Sequence, residues 1–244
     1  MSKLNNQDFI KFLRSFDDGE NNNHKYLDTI TEISRKHSGK RKSLIENEKK
    51  MYSLDDIAKG SSALNNNLPK TADALYFKEE DEKLSLYIIE FKFHNLDDPD
   101  PKDLLYNFVD EIYAFPKKFK CVSKYKRDLN KIKKYYGDNV KHSLILKPIE
   151  SLRVAIPKLY KEYDSDIDEK EIEDYLNTIE KKLIVFVSTY TEDGKYNPQK
   201  ERLESMSTGL ERHFDRLKDG NIINSYKIIP STNFDEFLEN ESLN

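Results

Sequence analysis

Three residues on two adjacent runs carry the chemistry of this chain. Asp73 lies in Thr71-Ala72-Asp73-Ala74-Leu75-Tyr76-Phe77, and Glu90 and Lys92 lie in Leu84-Ser85-Leu86-Tyr87-Ile88-Ile89-Glu90-Phe91-Lys92-Phe93. The second run is apolar on both faces until Glu90 and Lys92 interrupt one of them. Side chains repeat every two residues along a strand, so Glu90 and Lys92 point the same way as Leu84, Leu86 and Ile88. A run apolar on both faces reads as a central, covered strand. Charges are rarely placed there without a partner or a metal.

A hairpin brings the two acids together. With Phe77 opposite Leu84 across a turn over 78–83, Asp73 stands across from Ile88. It is then a diagonal neighbour of Glu90 on one face, roughly 7–8 Å away at the backbone. A register two residues different sets the acids directly opposite. Either arrangement lets two carboxylates share one hard cation, each oxygen about 2.0–2.1 Å from it. A slip of one residue sends Asp73 to the other face and dismantles the site.

At these residues the chain resembles the PD-(D/E)XK nuclease superfamily. Its pattern is an acid at the start of one strand, a hairpin, then acid-any-Lys on the next, here Asp73 followed by Glu90-Phe91-Lys92. The matched stretch is about residues 43–118. The family often has proline just before the first acid; here that position is Ala72, with Pro69 three residues earlier. The resemblance implies an α/β fold, with a mixed central sheet flanked by helices: a restriction-endonuclease-like core with helical elaborations. It also implies a Mg²⁺ (or Mn²⁺) ion held by Asp73, Glu90 and the Phe91 backbone carbonyl. Members often add an acid from the preceding helix, for which Glu48 is the candidate, sharing a face with Leu44, Met51 and Tyr52.

Composition sets the outer limits. The 244 residues suit one elaborated domain, and 28 aromatics (15 Tyr, 13 Phe) supply apolar surface for a core despite 35% charged residues. With 7 Gly and 8 Pro, a loop-rich β-sandwich is disfavoured. The single Cys121 excludes an intrachain disulfide framework and a multi-cysteine zinc site. No apolar signal core and no run of about 20 apolar residues is present, so the expectation is a cytoplasmic protein without membrane contact.

The net charge is −4, yet residues 117–136 carry Lys117, Lys118, Lys120, Lys124, Lys126, Arg127, Lys131, Lys133 and Lys134 against one acid, Asp128. Phosphate binding needs a local basic surface rather than a basic protein. Lys124, Lys126, Arg127 and Lys131 are the expected phosphate contacts; a solvated helix face is the plainer account of the same stretch.

The elements that must position these residues alternate between α and β. Helices are expected over Phe9–Phe16, Tyr26–Ile33, and 43–64 with a break near Ser53. Others follow from the Asp100-Pro101 start, from Val122 to Tyr136, over 151–163 and 168–181, and from Gln199 to Leu217. Ser143–Lys147, Leu183–Ser188 and Ile222–Ile229 read as strands, and Asn233–Leu238 as a terminal helical turn. Residues 1–42 form an N-terminal helical extension and 43–244 the nuclease-like domain. If Leu183–Ser188 follows the crossover helix of the core, 119–181 is a helical insertion beside the site.

The expected activity is metal-dependent hydrolysis of phosphodiesters, with DNA cut internally; cutting both strands would suit a homodimer. Lys92, beside two carboxylates, is expected to orient the attacking water and stabilise charge rather than act as a free base. A catalytically silent binding or interaction module on the same fold, and an RNA endonuclease, are the competing readings. His94 is a polar strand terminator or a substrate contact, and Cys121 a packing residue.

Overall fold

Whether the acids meet is decided by the ladder between their two strands. The computed structural model describes residues 4–17, 26–38, 43–64, 67–92, 143–187 and 211–243. In chain order these form α1 (Asn6–Arg14), β1 (Leu27–Thr29), α2 (Ile30–Ser38), β2 (Lys50–Ser53), α3 (Leu54–Gly60), β3 (Ala74–Glu80) and β4 (Lys83–Lys92). Next come α4 (143–150), a π-helical turn (Ser151–Ala155), α5 (Ile156–Tyr163), α6 (Glu169–Leu176), β5 (Glu180–Val187), α7 (211–219), β6 (Ser225–Pro230) and α8 (Phe234–Asn240).

One six-stranded sheet runs in the order β1-β2-β3-β4-β5-β6. The first four strands pair antiparallel; β4–β5 and β5–β6 are parallel. The protein is therefore α/β with a mixed, open sheet. Alternation along β4 and β5 divides the core in two. Leu84, Leu86, Ile88, Leu183, Val185 and Val187 face one side with α1, α3, α5, α6 and α7. Tyr87, Ile89, Phe91, Ile184 and Phe186 face the other, against Ile30 and Ile33 of α2 and Phe234 and Phe237 of α8. Residues 1–42 thus contribute both a core helix and an edge strand, since Phe9, Ile10, Phe12 and Leu13 of α1 are buried and β1 pairs with β2.

The β3–β4 hairpin turns more tightly than the spacing predicts. Asp81 and Glu82 take φ of 49° and 63°, the left-handed pair of a two-residue hairpin loop. Both strands gain length, and Phe77 pairs with Leu86 rather than with Leu84. The even shift keeps every side chain on its expected face.

Several other segments depart from expectation for reasons of tertiary pairing. Leu27–Thr29 is strand, because its backbone finds β2. The helix expected from 43 to 64 is realised only as α3. Residues 43–49 are irregular, with the Ser34 hydroxyl taking the Leu44 and Ile45 amides at 3.2 and 3.3 Å. In β2, Met51 and Tyr52 face opposite sides of the sheet. Ser143–Lys147 is helix, not strand, and leads through the π-helical turn into α5. The helix expected over 168–181 stops at Leu176, whose carbonyl accepts from the buried Lys181 ammonium at 2.6 Å. Burial, with Arg153 adding to it, pushes that ammonium down to about 8. β6 begins at Ser225, after a turn with left-handed Asn221. The helices expected from Asp100 and over 122–136, together with His94, Cys121 and residues 199–210, lie outside the described residues.

The C-terminal helix is tied down by one carboxylate. Glu241 accepts from Tyr87 Oη at 3.0 Å and Lys182 Nζ at 3.2 Å, and also pairs with Lys227. Burial alone would raise its carboxyl, but the hydrogen bonds from Lys227, Lys182 and Tyr87 outweigh that and bring it down to about 2. A carboxylate depressed on folding contributes its full stabilisation above the ordinary value of 4.5 and loses it as pH falls towards 2. Glu241→Gln should therefore lower unfolding free energy at pH 7 by about 1–2 kcal/mol in urea titrations, the difference from wild type shrinking below pH 4.5.

Candidate functional site

The hairpin ladder ends where the acids begin. Its last pair is Ala74 with Ile89, so the same register carried onward sets Asp73 across from Glu90 and Ala72 across from Phe91. Those outer positions do not pair backbone to backbone. The Phe91 amide donates to Asp73 Oδ2 at 2.8 Å, and the Ala72 amide donates to the Ser151 hydroxyl at 2.9 Å. In extended backbone a residue's N–H and C=O leave on the same side, so the Phe91 carbonyl leaves β4 on the β3 side. Side chains, rather than the ladder, hold the strand ends here.

The loop before β3 is pinned from two further directions. Thr71 Oγ1 donates to Asp55 Oδ1 of α3 at 2.9 Å, and the Lys70 amide bonds the Glu150 carboxylate. Glu150 and Ser151 lie three and four residues after Lys147, one turn along the same helical face. The helix that clamps the loop therefore also delivers Lys147 to it. Ser151 opens the π-helical turn, whose i→i+5 bond runs from the Ile156 amide to the Ser151 carbonyl. Such turns are frequent where a helix must aim a functional group.

Asp73 is 0% exposed and Glu90 is 2% exposed. Lys147 Nζ bridges them, 2.8 Å from Asp73 Oδ1 and 2.6 Å from Glu90 Oε1. Lys92 Nζ approaches the same Glu90 oxygen at 2.7 Å. Burial by itself would push the Lys147 ammonium down. The charges of Glu90 and Asp73, with their hydrogen bonds, outweigh it and hold the group well above the usual lysine range. Lys147 is thus a cation in this site. Among the described residues two ammoniums meet the two acids, yet Glu90 Oε2 is buried with no hydrogen-bond partner there. A buried carboxylate oxygen without a donor calls for a water or an ion.

Asp73, Glu90 and Lys92 thus share one sheet face, at the carboxyl end of β4. The parallel strand β5 ends beside it, Lys92 pairing with Val187. Glu48 is exposed, on the irregular approach to β2 rather than on a helix. Among the described residues no group of three or more His, Cys, Asp or Glu side chains gathers for a metal. The expected phosphate contacts Lys124, Lys126, Arg127 and Lys131 lie outside the described residues. Lys147 was not anticipated, because Leu144-Ile145-Leu146 reads as a strand core and Pro148 discourages helix. The signal was present one step further on. Leu144, Leu152, Ala155, Ile156, Leu159 and Tyr160 form a buried stripe at helical spacing, with Lys147 and Ser151 on its flank.

The chain matches no protein-family model, no curated protein and no solved structure among those compared. No described helix is long and apolar enough to cross a membrane.

Two substitutions test the clamp. Ser151→Ala leaves the buried Ala72 amide without its acceptor and should cost about 1–3 kcal/mol of stability. Lys147→Met strands two buried carboxylates and should cost about 3–5 kcal/mol. Adding Asp73→Asn and Glu90→Gln to Lys147→Met should restore much of that loss. Urea unfolding of the single and triple variants measures all three values.

Proposed function

We propose that the protein is a metal-dependent nuclease that hydrolyses phosphodiester bonds, acting on DNA as an endonuclease. The observation that carries this reading is the convergence of Asp73 and Glu90 on one cation, with Lys92 on the same face. The orphaned Glu90 Oε2 and the Phe91 carbonyl, on the residue between Glu90 and Lys92, are oxygen donors of the kind a hard divalent ion takes. Strand order supports the reading as well. Consecutive antiparallel β2, β3 and β4, followed through helices by parallel β5, fit the restriction-endonuclease-like core that the sequence motif implies.

On this reading Asp73, Glu90 and the Phe91 carbonyl hold Mg²⁺ or Mn²⁺. The ion supplies an activated water, charge neutralisation at phosphorus and stabilisation of the leaving oxygen. Glu90 Oε1 keeps the Lys92 ammonium beside the acids, where it can orient a water and meet the negative charge that grows on the phosphoryl oxygens. The buried walls of the site exclude bulk solvent from the two carboxylates and so strengthen their hold on any cation. Exposed Glu48 is not required for this set. The basic stretch containing Lys124, Lys126, Arg127 and Lys131 is proposed to grip the nucleic-acid backbone.

A second reading has an observation in its favour. The Lys147 ammonium already neutralises the acid pair, as it would in a catalytically silent binding module on the same scaffold. Divalent-ion calorimetry and a cleavage assay separate the two. The intact chain should bind Mn²⁺ and cut single- or double-stranded DNA in its presence. Glu90→Ala should lose both properties, and Lys92→Ala should bind Mn²⁺ but cut about 100-fold more slowly or worse. Equal residual cleavage in all three proteins, with no Mn²⁺ heat, would assign the activity to a contaminant and favour the silent module.

A further inference from the structure

We propose that Lys147 is a built-in competitor for the cation position of the acid pair: its ammonium holds Asp73 and Glu90 together in the ion-free chain and withdraws when a divalent ion enters. This inference rests on the metal-dependent reading above and adds a regulatory element to it. Lys147 bonds one oxygen of each acid, at 2.8 and 2.6 Å. A Mg²⁺-type ion would take oxygens of the same two groups at about 2.0–2.1 Å. The two cations cannot share that space, since a second positive charge a bond length away is repelled. Lys92 need not move: among the described residues it pairs with Glu90, and it sits on the same strand as that acid.

The architecture permits the exchange without dismantling the site. Lys147 comes from α4, not from the sheet, on a flexible four-carbon stem. Its side chain is 17% exposed, which gives the ammonium a route to solvent. The backbone of α4 stays anchored while the side chain leaves, because Ser151 retains the Ala72 amide and Glu150 the Lys70 amide. Asp73 therefore keeps its position, with Oδ2 on the Phe91 amide. The unpartnered Glu90 Oε2 shows that two ammoniums leave this acid incompletely satisfied. An ion with more coordination positions can satisfy it.

The test uses the wild-type chain and Mn²⁺. Amine-reactive labelling read by mass spectrometry should find Lys147 protected without metal and several-fold more reactive at Mn²⁺ saturation, with exposed Lys59 unchanged. In parallel, calorimetry should give Lys147→Met about tenfold or greater tightening of Mn²⁺ binding over wild type. If Mn²⁺ binds in a Glu90-dependent way while Lys147 stays protected and Lys147→Met shows no tightening, the competition is overturned and the metal site stands. If neither folded protein binds Mn²⁺, the metal reading falls and the inference with it. Should Lys147→Met fail to fold, the labelling of wild type decides alone.

Discussion

The site depends on one constraint: two carboxylates removed from water must have a cation between them. Asp73 and Glu90 are almost wholly buried. Left unpaired, either would lose hydration worth far more than the net stability of a domain of this size. The cation supplied by the fold is Lys147, with Lys92 as a second at the Glu90 edge. Much of the local architecture follows from meeting this need. The hairpin ladder gives way to side-chain bonds at Asp73 and Ser151, and α4 docks on the loop before β3. The π-helical turn sets in at the residue that accepts the Ala72 amide.

A purely structural account of the cluster is weak on energetic grounds. Replacing a buried ion group by packed apolar side chains is often neutral or stabilising. The flanking positions of the same strand face, Leu84, Leu86 and Ile88, show how readily this site would accept them. A fold that instead builds two acids, two lysines and three loop clamps at one sheet end sustains a cost that packing does not explain. The orphaned Glu90 oxygen raises that cost. On the proposed reading a ligand for the acids compensates it, and they lie at the carboxyl end of β4, the side on which open α/β sheets bind ligands.

The parts of this arrangement carried by local pattern were legible in the sequence. Alternation put Glu90 and Lys92 on the face of Leu84, Leu86 and Ile88, and the structure keeps them there. The hairpin's existence was legible and its register only to within two residues, the second of the two alternatives being the one formed, because the turn uses Asp81 and Glu82 in a left-handed conformation more typical of glycine or asparagine. The error was even in number, so faces survived it. Elements set by distant partners were lost. β1 and β2 are short strands whose residues carry helical spacing, and only pairing across the sheet makes them extended. Lys147 was hidden for the opposite reason. A helix rich in leucine and isoleucine, with proline inside it, looks extended until its longer stripe through Tyr160 is followed.

Charge balance ties the acids to the lysines more tightly than geometry alone. Among the described residues, two anions face two ammoniums with Lys147 in place, and their charges cancel. A divalent ion added beside both ammoniums would leave two uncompensated positive charges in a buried space, which the low dielectric there makes costly. Withdrawing Lys147 removes one of them. A phosphodiester monoanion brought against the ion and Lys92 would remove the other. On the proposed reading, counting the described groups alone, the balanced states are thus the ion-free chain with Lys147 engaged and the ion-loaded chain with substrate bound. The ion-loaded chain without substrate is the unbalanced one. On that reading, a lysine on a separate helix, held to the acids by 2.6 and 2.8 Å contacts, would make metal occupancy and phosphate binding favour one another.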